Sequence, residues 1–140
     1  MTRASVGGRM DVAQALAELT ELSSQVESAV VLDAGGSVLG STFADDRAAE
    51  ALAGVARELT AAAGEVHASE HVVTRVEVEL ADGAVFVLHE GERTIAAVTG
   101  PRPTAGLVAY DLRTCLHGIE AAPASKRRRT AKKKDEEASE

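Results

Sequence analysis

Few side chains in this 140-residue sequence have the type and spacing for chemistry. His67 and His71 stand four apart, the spacing that puts two metal ligands on one helical face. They follow Gly64 in a stretch that reads as a loop, no third ligand is evident, and no metal is expected. Cys115 and His117 would pair a thiol with a base, but positions two apart on a helix do not face each other. Cys115 therefore reads as a buried core thiol, and His89 and His117 read as exposed polar histidines. Gly35-Gly36 is too short for a nucleotide-binding loop and reads as a turn. A phosphate-binding loop of the form Gly-x-x-x-x-Gly-Lys-Ser/Thr needs a lysine at its end. All four lysines, Lys126, Lys132, Lys133 and Lys134, lie in the last fifteen residues. Residues 1–125 thus hold no such loop and no Schiff-base lysine. The expectation is a protein that is not an enzyme, with no catalytic residue and no cofactor.

Composition narrows the partners. Residues 1–123 carry eight Arg against eighteen Asp and Glu, a formal charge of −10, while residues 124–140 carry +3. An acidic body repels nucleic acid and anionic lipid, so neither is an expected partner for it. The single cysteine allows no internal disulfide and fits a reducing, cytoplasmic setting. No apolar run reaches the roughly 18 residues of a membrane span. Scarce lysine and absent asparagine, beside abundant Ala, Gly, Val and Arg, point to a GC-rich bacterial coding sequence. Residues 1–10 read as a disordered leader, with Met1 and Met10 both open as the start. Residues 11–122 read as one domain, and residues 123–140 as a disordered tail, basic and then acidic. For KRRRTAKKK a solubilising role, contact with an anionic surface and folding back on the acidic body all stay open.

The periodicities supply the elements that would position any site. Residues 11–24 place Val12, Ala15, Leu16, Leu19 and Leu22 on one helical face, with Asp11 at the N-terminal end. VESAVVLD and SVLGSTF flank AGG as a hairpin. Residues 45–64 form a second helix, capped by Asp45 or Asp46, ended by Gly64, with Ala48, Leu52, Val55, Leu59 and Ala62 as its core stripe. Residues 72–80 alternate: Val72, Thr74, Val76, Val78 and Leu80 face one way, and Val73, Arg75, Glu77 and Glu79 the other. Asp82-Gly83 marks the next hairpin turn, followed by AVFVLHE, a turn at Gly91, and RTIAAVT. Residues 104–120 close with a helix burying Val108, Leu112, Cys115, Leu116 and Ile119. AVVL, VFVL and IAAV are apolar on both faces and belong inside a covered sheet. The strands at 37–43 and 72–80 belong at its edges. The fold class is α+β in the order α-β-β-α-β-β-β-α. Five antiparallel strands lie between one helix on one face and two on the other.

This order, with the stretches AVVLDAGGSVLGST and GLVAYDLRTCLHGIE, resembles the Roadblock family of dynein-light-chain-type domains over about residues 11–121. The resemblance implies a longin- and profilin-like sheet. It also implies a homodimer built on the third strand and second helix, and binding or regulation of a small Ras-like GTPase. In the bacterial gliding-motility regulator, activation comes from repositioning the GTPase's own residues. Arg47, Arg57 and Arg102, the exposed candidates for an arginine finger, are accordingly not assigned that role.

The residues give the dimer separate support. A long edge strand invites pairing, and two antiparallel copies would bring Arg75 toward Glu77 or Glu79 of the other chain; equally, these charges would keep an unpaired edge solvated. On the second helix, Gly54 costs about 1 kcal/mol relative to alanine. That points to close approach of another backbone, or to drift on a tolerant surface. The expected dimer contacts are Ala51, Gly54, Glu58, Val73, Arg75, Glu77 and Glu79, and the expected partner contacts are Arg47, Glu50, Arg57 and Ala61. Two other functions compete: a nucleotide-independent scaffold, and a small-molecule sensor. The second ranks last because Ala-rich, aromatic-poor elements outline no pocket.

Overall fold

The computed structural model describes residues 10–66 and 73–119. Its elements run α1 (Val12–Leu22), β1 (Val26–Leu32), β2 (Val38–Ser41), α2 (Asp46–Val66), β3 (Arg75–Leu80), β4 (Gly83–Glu90), β5 (Arg93–Thr99) and α3 (Ala105–Gly118). The expected order is present. The sheet order is β2-β1-β5-β4-β3, with every neighbouring pair antiparallel. The three strands apolar on both faces are its centre, and the two polar or short ones are its edges. The expected leader and tail, His67, His71 and Val72 lie outside the described residues.

The layers follow from alternation along the strands. Ala29 and Val31 of β1 point to one face, and Val30 and Leu32 to the other. On the first face, α1 and α3 bury Leu16, Leu19, Phe86, Leu88, Ile95 and Leu112. On the second, α2 alone covers Val30, Leu32, Val87 and Ala96 with Ala49, Leu52, Ala53 and Ala56. Each large aliphatic side chain fully buried this way contributes about 1.5–3 kcal/mol. Asp11 starts α1 with a capping box: its carboxylate accepts the Gln14 N–H at 2.8 Å, and the Gln14 side-chain oxygen accepts the Asp11 N–H at 3.2 Å.

Four local expectations are corrected. The buried stripe of α2 is Ala49, Leu52, Ala53 and Ala56, while Val55 is 41% exposed. The helix is rotated by roughly a quarter turn from the expected stripe, because alanines let its backbone lie closer to the sheet than Val55 would. Gly64 does not end α2, which runs on to Val66; Val73 packs close by, its methyl 3.7 Å from where a Gly64 Cβ would sit. Asp82-Gly83 is not the turn pair: Ala81 and Asp82 turn, and Gly83 opens β4 opposite Leu80. Glycine is needed there because a Cβ would come within 2.4 Å of the Thr99 carbonyl oxygen. Leu22 is 73% exposed; it is the last residue of α1 and stands at the rim of the α1–α3 contact, near Glu18 and Asp111.

Candidate interaction surface and the adjoining cleft

β3 pairs only with β4, so its other edge has no partner strand among the described residues. Val76 lies opposite Val87, and Glu77 opposite Phe86. The Val76, Val78 and Leu80 row therefore faces the α2 side, while Arg75, Glu77 and Glu79 face the α1–α3 side. Arg75 Nε lies 3.0 Å from Glu77 Oε2 of the same chain. The arginine foreseen as reaching across a dimer thus already has a partner at home, in an exposed pair of the kind that contributes about 0–1 kcal/mol. Val73 precedes the strand, and its contact with α2 separates it from the charged row in which the sequence placed it.

The outward face of α2 carries Arg47, Ala51, Glu58 and Ala61, all exposed, with the half-buried Gly54 among them. A Cβ on Gly54 would meet nothing of this chain closer than the Arg57 guanidinium at 3.9 Å, so internal packing does not require the glycine. Val55 and Val66 on α2 and Leu80 on β3 are exposed aliphatics. This side of the molecule therefore combines an open strand edge, a helix with small outward residues, and uncovered apolar surface.

Glu50 and Arg57 separate from the outward group. Their side chains form an ion pair, and Arg57 Nη1 also donates to the Gly36 carbonyl at 2.6 Å. That fastens α2 to the β1–β2 turn, which is built by Asp33. Its Oδ1 accepts the Gly35 and Ser37 N–H groups, both at 2.9 Å, and Gly36 turns the chain at φ +91°. Of the other arginines, Arg102 stands exposed between two prolines with φ 52°.

His89 is not the exposed histidine expected. It is half-buried, its Nε2 3.0 Å from Thr60 Oγ1 on α2 and its Nδ1 2.7 Å from Thr94 Oγ1 on β5. Thr60 donates its only hydroxyl hydrogen to the Ala56 carbonyl at 2.8 Å, so it must accept from Nε2–H. Nδ1 then accepts from Thr94. The network assigns the neutral Nε2–H tautomer, and burial lowers the pKa of His89 from its ordinary 6.5. His117 is exposed, as expected, and lies 2.9 Å from Glu90. Cys115 is buried, with its thiol donating to the Ala15 carbonyl at 3.5 Å. Burial, and secondarily the charge of Glu18, push its pKa up to about 12, which suits a core thiol and not a nucleophile.

His89, Thr60 and Thr94 line a cleft of about 430 Å³ where α2 meets the β1–β2 and β4–β5 turns. Leu32 and Ala56 supply apolar lining, Asp33 and Glu92 are its carboxylates, and Arg57 is cationic; Arg93 also borders the cleft, but its Nη1 donates to the Ile119 carbonyl at 3.5 Å. The sequence outlined no pocket here because its walls come from three separate segments, the β1–β2 turn, α2 and the β4–β5 turn. Nothing in the spacing of Thr60, His89 and Thr94 announces that they meet. Among the described residues, no helix is long and apolar enough to cross a membrane.

The fold and sequence have relatives. A Roadblock/LC7 domain from Streptomyces avermitilis superposes with a TM-score of 0.67 at 23% identity, over 77% of this chain and 93% of that one. MglB from Myxococcus xanthus gives 0.57 at 15% identity, over 74% and 87%. The gliding protein MglB from Thermus thermophilus gives 0.55 at 17% identity, over 82% and 87%. Among curated protein sequences, none matches significantly. At these identities the likeness is one of fold, but the sequence profile of the Roadblock/LC7 domain matches residues 12–99. With α1 through β5 inside that match, the chain belongs to the Roadblock/LC7 family.

Proposed function

We propose that this chain works as a non-enzymatic homodimer that binds and regulates a small Ras-like GTPase. The observation that carries the reading is the open β3 edge beside the small-residue outward face of α2. Family membership adds the class of partner. In this reading Ala51, Gly54 and Glu58 meet their counterparts across the dimer, with the edge of β3 from Arg75 to Glu79 paired to its copy. Val73 stiffens the approach to that edge from behind. Arg47 and Ala61 offer the GTPase contact surface. Glu50 and Arg57 support it from the flank, since Arg57 is engaged by Gly36 and Glu50. An arginine so engaged favours regulation by surface contact over an inserted arginine finger.

The test is retention from a lysate of the source organism on the immobilised full chain, with GDP or a non-hydrolysable GTP analogue added in parallel. Enrichment of a small GTPase with the GTP analogue supports regulation. Equal retention in both states supports the alternative of a nucleotide-independent scaffold, and no retained GTPase sinks the partner assignment.

A further inference from the structure

We infer that the cleft between α2, the β1–β2 turn and the β4–β5 turn is the docking site of this chain's own basic segment, residues 126–129, and receives one of its cationic side chains. The lining favours a cation. Its two arginines are occupied, Arg57 by Glu50 and the Gly36 carbonyl, and Arg93 by the Ile119 carbonyl. Its carboxylates are not. Oδ1 of Asp33 accepts the Gly35 and Ser37 N–H groups, which leaves Oδ2 available. Neither Asp33 nor Glu92 has an ion-pair partner among the described residues. Leu32 pairs with Thr94 in the sheet, which sets Asp33 and Glu92 at the same sheet end. Thr94 donates to His89, His89 donates to Thr60, and Thr60 donates to the Ala56 carbonyl. Every hydrogen in that chain is committed, so the threonine oxygens offer only acceptors. Carboxylates and acceptor-only hydroxyls suit an ammonium or guanidinium, which carries donors alone. Leu32, Ala56 and Ala61 suit the apolar stem behind such a head group, and about 430 Å³ has room for one such side chain.

The point where the chain leaves the described fold selects this occupant. α3 ends at Gly118, and Arg93 reaches the carbonyl of the next residue, Ile119. Ile95 lies in the α1–α3 core and Ala96 in the α2 core. The same alternation sends Arg93 to the α1–α3 side, beside Ile119, and Thr94 to the α2 side, into the cleft. The exit and the cleft therefore share one end of the sheet and lie on its opposite faces. Residues 120–125 then provide six residues, which extended span roughly 20 Å, about twice the ~10 Å between packed layers. Residues 126–134 follow with seven Lys and Arg, against a formal charge of −10 on residues 1–123. A tether this short gives an effective concentration on the order of millimolar, so even a weak contact is populated. Docked there, the segment covers Arg57 and Ala61 and competes with the GTPase for them. That consequence rests on the GTPase reading, whereas the docking itself does not.

Amide NMR spectra test this directly, comparing the full chain with a full chain carrying Lys126→Gln, Arg127→Gln, Arg128→Gln and Arg129→Gln. Neutralisation should move the signals of Gly35, Gly36, Thr60, Gly91, Glu92 and Thr94. About 0.5 M NaCl should move those of the parent chain the same way, because salt screens the contact. A synthetic peptide of residues 120–134, added to the neutralised chain, should restore the parent positions saturably. Asp33→Asn keeps the Oδ1 acceptor that builds the β1–β2 turn. Combined with Glu92→Gln, it should weaken the peptide about tenfold, and Glu92→Gln alone serves if Asp33→Asn disturbs that turn. The inference is overturned if the cleft signals are the same in the parent and neutralised chains. It is also overturned if the shifts lie on the α1–α3 face around Glu18 and Asp111, or if the peptide binds a folded carboxylate variant as tightly as the unsubstituted cleft. None of these signals depends on a GTPase, so a failed partner assignment leaves them unchanged and the two readings fail separately.

Discussion

The two faces of the sheet are built from different materials. Under α1 and α3 the core is built on leucines, two isoleucines and a phenylalanine, interlocked between two helices and the sheet. Under α2 a single helix lies on the sheet through Ala49, Ala53 and Ala56, with Leu52 as its one large buried side chain. The two-helix face is a core closed on itself. The one-helix face trades bulk for closeness, and leaves uncovered the flanks and back of α2, the β3 edge and the cleft around His89. The proposed functions all lie on the thin side, where less of the fold's own packing stands between the sheet and a partner.

The two layers should fail in opposite ways. Leu112 is fully buried in the two-helix layer, and Leu112→Ala should cost about 2–5 kcal/mol in urea unfolding. In the α2 layer the sensitive change is a gain of volume. Ala53 has no exposed surface, and Ala53→Leu should cost about 1–3 kcal/mol by forcing helix and sheet apart. An Ala53→Leu variant as stable as the parent chain would break the contrast.

His89 sharpens it further, because it joins α2 to the sheet as a neutral group. Burial lowers its folded pKa below the unfolded 6.5, so the unfolded chain takes up the proton first. The stabilisation is complete above pH 6.5 and is lost as the pH falls from there through the folded pKa. Unfolding midpoints measured across that window should fall for the parent chain and flatten for His89→Gln. A histidine signal titrating at or above the ordinary value would contradict the assignment. The smallest effect is expected in the two-helix layer. Cys115, with its pKa near 12 against an ordinary 9.0, should resist iodoacetamide at about pH 8 and react only when denaturant opens the core. Rapid labelling of the folded chain would show that the α1–α3 core is looser than described.

Much of this architecture was legible before the structure. Strands apolar on both faces could only be central, and the charged alternation at 75–80 could only be an edge. α3 was readable to its buried residues because its apolar side chains are large and regularly spaced. α2 was misread for the converse reason. Alanine is small enough for either face, so a pattern weighted by size chose Val55 over Ala53 and Ala56. Ala51, Gly54 and Glu58 lie opposite the stripe α2 actually buries, though Ala51 and Glu58 adjoin the expected one at Val55. The cleft was not readable: Thr60, His89 and Thr94 meet only because α2 crosses the ends of β4 and β5.

Sedimentation equilibrium of the full chain tests most directly the claim that the α2 side is the working face. It would be run beside Gly54→Arg on that side and Leu107→Glu on the exposed face of α3, where Leu107 is 48% exposed. The account predicts the mass of two chains for the parent and for Leu107→Glu, and of one chain for a still-folded Gly54→Arg. A monomeric parent, or a dimer that survives Gly54→Arg and is lost with Leu107→Glu, would contradict it.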